Sequence, residues 1–359
     1  MDASHAAVRG YASRFGLRLE PFAGGKSLVY TAGRRRFVGT EVQRDVSRFW
    51  ARVEALGRRS GPALDRQSAA QLVHRLALDP LARFLVEHEL RQEFTVEPRE
   101  LSLLHLVTRP RGRGPRYRFA GGNDRLVGAL AEPLGDRVSL DTRVSSVEWN
   151  VNGVTVAGGG DRVRADVCVL AVPLPVLANI RFEPELPALL ASAVEELQYG
   201  RGTKTLVQYD RRFWSARGGS GEIVSDLAFQ QSWETTGRQP SPRGILVAST
   251  PGRYGDIYGK VGKSTRVQLA ASEIDDVYPG SLGLQERGSS SAWHTEPLSG
   301  GTFVAYAPGQ VTRFRALLRR PVGPLYLAGE HADDYSGTME GAVRSGRRVA
   351  AAVEAHLGR

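Results

Sequence analysis

Residues 325–357 form the pattern that most constrains how this chain can fold. A short apolar run at 325–328 leads into a turn from Gly329 to Gly337 that is rich in acidic residues, and a long amphipathic segment follows. Glycine permits backbone angles that other residues rarely adopt, and the start of a helix offers free N–H groups to an anion or an electron-rich ring. The pattern predicts a strand, a tight turn and a helix whose first turn can contact a ligand. An ordinary C-terminal helix packed on a sheet would give the same pattern.

The rest of the chain divides into a helical part and a mixed part. Residues 41–56, 68–78 and 81–94 carry apolar side chains at helical spacing. In the middle of the chain, an Asn-Gly hairpin signal at 152–153 and an apolar run at 167–172 indicate strands. The sequence therefore predicts an α/β (α+β) protein of two interleaved domains, each crossed more than once by the chain.

The charge balance raises the question of a nucleic-acid partner. The 359 residues include 48 basic and 38 acidic ones, which gives a net charge of +10 at pH 7. Only four of the basic residues are lysines, and the arginines are spread along the chain and not grouped in one stripe. We therefore expect an arginine-rich surface and no nucleic-acid site.

Membrane, disulfide and metal chemistry are also not expected. No run approaches the roughly 18 apolar residues of a membrane span, so we expect no membrane partner. The single cysteine, Cys168, cannot form an internal disulfide, which favours a reducing, cytoplasmic compartment. His331, Asp333 and Asp334 are residue types that bind metals, but they fall within the turn described above, and we expect no metal site.

A set of short segments occurs in a fixed order along most of the chain. Near the C-terminus these are L-A-G-E-H at 327–331, S-G-T-M-E-G-A at 336–342 and S-G at 345–346. Upstream they are F-A-G-G at 119–122, A-V-P at 171–173, F-E-P-E-L-P at 182–187, Y-G through F-W at 199–214, Trp293, S-G-G at 299–301 and Y-A-P-G at 306–309. Their order and spacing resemble the flavin-containing amine oxidases, and the monoamine oxidases above all.

The resemblance implies an FAD/NAD(P)-binding-type domain interleaved with a substrate domain of helices over a mixed sheet. By it, residues 117–192 and 296–359 form the FAD-binding domain, and residues 1–116 and 193–295 form the substrate domain. Family members begin with a βαβ unit whose G-x-G-x-x-G turn holds the FAD pyrophosphate, and this sequence contains no such motif. We therefore expect an incomplete FAD-binding domain. An earlier true start, a separate polypeptide that supplies the unit, or a loss of flavin binding would each account for it.

The resemblance also implies where FAD would lie. The backbone around Val144 would meet the adenine end, and Gly329 and Glu330 would lie along the ribityl-phosphate region. Thr338 and Met339 would offer backbone N–H groups to the pyrimidine edge of the flavin.

Further positions concern the reaction. Lys204 matches the family lysine that hydrogen-bonds a water next to flavin N5, whereas taken alone it is a lysine at a strand edge. Trp293 would pack beside the isoalloxazine ring. Monoamine oxidases link FAD to a cysteine where this chain has Thr302, and they flank the substrate with two tyrosines where it has Phe303 and Thr338. The resemblance therefore implies non-covalent FAD and a channel with a single aromatic wall.

The implied activity is oxidation of a small-molecule amine. A hydride would pass from the carbon beside the nitrogen to flavin N5, the imine would hydrolyse, and oxygen would reoxidise the flavin. Two alternatives stay open. The T-x-x-G-A-x-x-S-G ending also occurs in flavoprotein desaturases of a lipid or polyene, although Lys204 and the 199–214 segment favour the amine oxidase. The other alternative is a non-catalytic fragment or subunit that binds no flavin alone.

Overall fold

A computed structural model describes residues 1–22, 27–112 and 114–358 of the protein. Helices and strands alternate along them, which confirms the predicted α/β (α+β) class. The helices are α1 (Ala6–Arg14), α2 (Thr40–Gly57), α3 (Ala69–Arg75), α4 (Pro80–Phe94), α5 (Leu103–Thr108), α6 (Asp124–Ala131), α7 (Leu174–Leu177), α8 (Ala188–Glu196), α9 (Phe213–Ala216), α10 (Arg253–Gly259), α11 (Lys263–Val277), α12 (Gln310–Phe314) and α13 (Met339–His356). The strands are β1 (Leu19–Pro21), β2 (Leu28–Thr31), β3 (Arg34–Arg36), β4 (Tyr117–Phe119), β5 (Val144–Asn150), β6 (Gly153–Gly158), β7 (Asp161–Ala165), β8 (Cys168–Leu170), β9 (Arg181–Glu183), β10 (Gly202–Tyr209), β11 (Ile223–Ser225), β12 (Gln231–Glu234), β13 (Gly244–Pro251), β14 (Gln285–Ala292) and β15 (Leu325–Leu327).

The chain divides into two compact units, each built from separate segments. Unit 1 consists of Met1–Ala23, Thr108–Gln198 and Gln310–Arg359, and unit 2 of Gly24–Val107 and Tyr199–Gly309. These bounds differ from those of the predicted domains in four places. Three segments expected in the substrate domain group with those expected to bind FAD, namely residues 1–22, the described residues of 108–116, and residues 193–198. Residues 296–309 group with the segments expected to bind substrate. The assignment of FAD to one unit and of substrate to the other stays a prediction.

Unit 1 contains three small sheets within its described residues. In the largest, the strand order is β7-β6-β5-β9, with β5 and β9 parallel. The Asn-Gly turn at 152–153 joins β5 to β6, as its hairpin signal predicts. A second sheet pairs β8 with β15 in parallel, and a third pairs β1 with β4 antiparallel.

The first helix is tied to the last one. The backbone N–H groups of Ala7 and Val8, at the start of α1, donate to the buried carboxylate of Glu340 at 3.0 and 2.9 Å. Val8 also packs in a small apolar cluster with Phe119 and Met339. These long-range contacts explain why residues 1–22 belong to unit 1 and not to the helices that follow them.

Unit 2 is a mixed sheet of seven described strands with helices on both faces. The strand order is β14-β10-β13-β12-β11-β2-β3, and β11 and β2 run parallel. One face packs against α11 around Trp214, Tyr209 and Ile274, and the helices α2 to α5 form a second core around Phe49 and Leu90. None of the described helices is both long and apolar enough to cross a membrane.

The helix predicted at 81–94 is α4, and its start follows from local chemistry. Pro80 occupies the first helical position, where the missing N–H costs nothing. The Asp79 side chain caps the helix, since it accepts hydrogen bonds from the Leu81 and Ala82 N–H groups at 2.8 and 3.3 Å. The helix predicted at 41–56 is confirmed as α2.

Candidate functional site

Four predicted cofactor-binding residues lie where β15 leads into α13. Gly329 has a φ of 150°, and its N–H donates to the Ser345 hydroxyl at 2.9 Å. A Cβ at this position would come within 2.4 Å of the His331 ring, so the turn requires glycine. The Glu330 carboxylate closes the turn by accepting a hydrogen bond from the Gly337 N–H at 2.7 Å.

Thr338 is the N-cap residue of α13. Its hydroxyl accepts a hydrogen bond from the Gly341 N–H at 3.1 Å and donates one to the Tyr335 carbonyl at 2.6 Å. The next two amides, of Met339 and Glu340, have no hydrogen-bond acceptor among the described residues. Because a helix dipole places partial positive charge at this end, the two N–H groups can receive an electron-rich group.

Buried charges hold the turn in place. The Asp333 carboxylate is buried and accepts hydrogen bonds from Arg344 at 3.1 Å, from Arg348 at 3.5 Å and from the Tyr335 N–H at 3.0 Å. Burial lowers the pKa of His331 to about 4, so this ring is neutral at pH 7. No group of three or more His, Cys, Asp or Glu side chains in the described part of the chain is arranged to hold a metal ion. Asp333 therefore stabilises the turn by binding Arg344 and Arg348, a role that the sequence did not indicate.

Val144 lies on a different sheet from the turn. It is the first residue of β5 and pairs with Gly158 of β6, where an added Cβ would come within 2.9 Å of the Val144 Cα. The pairing of β5 with β9 begins only at Ser146, so one side of the Val144 backbone takes no part in the ladder. That free edge is compatible with the predicted contact to adenine.

Three other predicted residues come together at the start of β10 in unit 2. Lys204 pairs with Ser291 of β14, and Trp293 follows two residues later with 44% of its surface exposed. The Gly200 N–H donates to the Phe303 carbonyl at 2.8 Å, which brings Phe303 beside the same strand. Phe303 and Thr338 belong to different units, and their predicted roles as opposite walls of a channel stay predictions.

The Lys204 ammonium group lies 5.1 Å from the centre of the Trp233 ring. The side chain as a whole is exposed, yet protein atoms crowd its charged end, and this desolvation lowers the pKa of Lys204. Among the described residues, no carboxylate lies within ion-pairing distance of it. A lysine in this state can donate hydrogen bonds to a ligand or to an ordered water.

Thr302 has a partner that the sequence did not suggest. Its hydroxyl lies 2.5 Å from the Thr95 hydroxyl, at the end of α4 where Thr95 adopts a φ of 54°. Gly200 lies between them, and a Cβ there would come within 1.9 Å of the Thr95 Oγ1. Together these residues fix the position of the backbone at Phe303. This role is visible only from contacts in the structure and not from the sequence.

Comparison with protein families gives one match over nearly the whole chain. The family described as flavin-containing amine oxidoreductase matches residues 2–354. The flavin-containing amine oxidase of Danio rerio is 30% identical over 321 residues, which cover 82% of this chain and 60% of the relative. The flavin-containing amine oxidase A of Bos taurus is 28% identical over 321 residues, which cover 82% of this chain and 59% of the relative. The chain thus spans about 60% of the length of these relatives.

Solved structures share the fold. Cyclohexylamine oxidase from Brevibacterium oxydans superposes with a TM-score of 0.88 at 23% identity, over 100% of this chain and 87% of that one. Putrescine oxidase bound to putrescine superposes with a TM-score of 0.87 at 23% identity, over 99% of this chain and 87% of that one.

Proposed function

Because the chain belongs to the flavin-containing amine oxidoreductase family, for which FAD is the cofactor, we propose that it acts in the oxidation of a small-molecule amine. The observation that carries the proposal is Lys204. Its side chain is exposed as a whole, but surrounding protein atoms lower the pKa of its ammonium group. It has no described carboxylate partner, and it lies on the strand that Trp293 and Phe303 flank. Structural lysines normally stay solvated or form ion pairs, so this arrangement favours a role toward a ligand.

The described residues fit the flavin end of the cofactor. The two amides without acceptors at the start of α13 are donors suited to the pyrimidine edge of a flavin ring, where reduction adds negative charge. Gly329 and the Glu330-closed turn lie next to them, at the predicted ribityl-phosphate region. The dinucleotide end needs donors for two phosphate charges, and the G-x-G-x-x-G turn that supplies them in this family does not occur in these 359 residues. We propose that another segment supplies those donors, and a separate polypeptide is one source.

When bound, FAD would supply the oxidising chemistry, namely removal of a hydride from the carbon that bears the amine, with hydrolysis of the resulting imine and oxygen as the expected final acceptor. The residues of this chain bind and orient. Lys204 would donate a hydrogen bond to a water and place a positive charge beside the ring. The Met339 N–H would hold the pyrimidine edge, and Phe303 would pack against the carbon chain of the amine. Thr338, with its short side chain, would leave the other side of the channel open.

The test is anaerobic reduction of bound flavin by amines. The chain is loaded with FAD, alone and together with a G-x-G-x-x-G unit from a family member, and mixed with putrescine, cyclohexylamine or benzylamine. We expect at least one amine to bleach the flavin absorbance, with the carbonyl product appearing after exposure to air. Bound flavin that a polyene bleaches and that no amine bleaches would instead support the desaturase. A preparation that holds no FAD in either form would support the non-catalytic alternative.

A further inference from the structure

The arginine Arg266 of α11 is buried without a partner. Only 6% of its surface is exposed, and its Nε and Nη1 atoms are both buried with no hydrogen-bond acceptor. Asp256, on the preceding helix, lies within ion-pairing distance of Arg201 and His294 but not of Arg266. The residues that the structure does not describe carry no acidic side chain that could serve instead.

An unpaired buried charge destabilises a folded protein. Arginine side chains are almost never fully buried unless they are paired, because desolvation of the charge costs several kcal/mol. A guanidinium group cannot lose its proton to escape this cost. A buried arginine without a protein carboxylate therefore points to an anion from outside the chain.

The surroundings of Arg266 are also rich in donors. It is the fourth residue of α11, a helix of 15 residues, and helical side chains lean toward the N-terminus of their helix. The N-cap residue is Gly262, which has no side chain to accept hydrogen bonds from the first-turn amides. Those amides lie within one turn of Arg266 in the chain, at the end of the helix where the dipole favours negative charge.

His294 lies at the same place. Its ring is adjacent to Gly259, three residues before the N-cap, since a Cβ on Gly259 would come within 2.3 Å of the His294 Nε2. Burial lowers the pKa of His294, Asp256 and a hydrogen bond to the Gly202 backbone oppose this, and the charges of Arg201 and Arg266 lower it further, so Arg266 is near enough to affect the ring. The His294 Nδ1 atom is buried without a partner as well. A bound anion would favour the protonated ring, which could then donate a further hydrogen bond.

We propose that the start of α11, together with Arg266 and His294, binds one small oxyanion, such as a phosphate or carboxylate group. Arginine donors and helix N-termini are the groups that recognise these anions in proteins. The burial of Arg266 restricts the ligand to a small group, either a free ion or one end of a metabolite. The site is independent of the amine oxidation proposed above, and it would stabilise unit 2 whenever it is filled.

The test titrates inorganic phosphate, sulfate and acetate into the full chain at constant ionic strength, balanced with chloride. Calorimetry and the thermal unfolding midpoint are measured for wild type, Arg266→Met and the control Arg287→Met, whose arginine is exposed on β14. We expect a saturable rise of the midpoint for wild type and for Arg287→Met. Affinity should fall at least about tenfold in Arg266→Met, because the charged donor is lost.

Stability without the oxyanion supplies a second readout. In chloride alone, Arg266→Met should be at least as stable as wild type, because it removes a buried unpaired charge. The variant Arg266→Lys should keep part of the phosphate response. An equal response in wild type and Arg266→Met would overturn the proposal. So would a wild type on which phosphate, sulfate and acetate have no more effect than chloride. Phosphate binding without acetate binding would identify the ligand as a phosphate group.

Discussion

Two charged side chains in unit 1 and two in unit 2 differ in whether the protein itself satisfies them. In unit 1, the buried carboxylates of Asp333 and Glu340 are satisfied by the protein itself, through arginines and backbone N–H groups. In unit 2, the cations of Lys204 and Arg266 have no described carboxylate partner. Groups that the protein satisfies hold its fold, whereas desolvated groups that it leaves open are available to ligands. Substitutions of Asp333 or Glu340 should therefore affect stability, and substitutions of Lys204 or Arg266 should affect ligands.

The largest effect is expected from Lys204→Met. If Lys204 orients a water beside the flavin, its loss should slow flavin reduction or reoxidation by about 10²–10³-fold, as for other preorganised donors. The free energy of unfolding should change little, because no ion pair is broken. Stopped-flow absorbance with Lys260→Met as the exposed-lysine control measures the rates. Rates equal to wild type in both half-reactions would remove Lys204 from the site.

Glu340→Ala should produce the largest loss of stability. It leaves two buried N–H groups of α1 without their acceptor, and we expect about 3 kcal/mol less free energy of unfolding. Glu340→Gln should lose less, because its amide oxygen still accepts a hydrogen bond. Urea unfolding measures both, with the exposed Glu354→Ala on the same helix as control. A Glu340→Ala protein as stable as that control would show that the carboxylate does not hold α1.

Acidification should destabilise both units to a similar extent, so the contrast between the units does not extend to the pH dependence of stability. Burial lowers the pKa of His88 in unit 2 and of His331 in unit 1 to about 4 each. Because the unfolded chain binds these protons near pH 6.5, stability is complete above that pH and falls as the pH drops toward 4. At pH 5 each histidine should cost about 2 kcal/mol. Unfolding of His88→Gln and of His331→Gln across this range should show a shallower slope than wild type, and an unchanged slope would contradict the assignment.

The smallest effect is expected at Thr338, which is both the N-cap residue of α13 and a predicted wall of the substrate channel. Thr338→Val keeps the shape but loses the cap, and should cost about 1 kcal/mol of unfolding free energy. Thr338→Ser keeps the cap and should be nearly neutral, so any change in its amine preference would report the channel wall alone. Identical stabilities for the two variants would show that the N-cap hydrogen bond contributes nothing measurable.

The sequence predicted the turn and α13 in unit 1 better than it predicted the surroundings of Lys204 in unit 2. The turn and α13 could be predicted because the glycines, the small residues and the helical pattern are contiguous in the chain. The neighbours of Lys204 could not, because strand register and the placement of Trp233 determine them. The roles of Gly200 and Thr302 likewise follow from their contacts with Thr95, which lies more than a hundred residues before Gly200 in the chain.

One strand shows how a local pattern can overstate burial. The apolar run at 167–172 indicates a strand, and such an unbroken run is typical of a buried one. The strand β8 does form there. Val169 is nevertheless 44% exposed. The described part of this sheet has two strands, β8 and β15, and a pair of strands cannot cover both of its own faces. The apolar composition of a strand indicates which side chains could be buried. The elements that pack against the strand determine which of them are.

The bond between the first and last helices has a consequence for biosynthesis. The Glu340 carboxylate that secures the start of α1 lies 332 and 333 residues further along the chain. A ribosome adds on the order of 5–20 residues per second, so α1 must wait many seconds after its own synthesis for its acceptor. Throughout that interval the apolar side of α1 can pack against Phe119 and Leu126 but not against Met339. Two amides at the start of α1 thus stay without their acceptor until α13 has been synthesised.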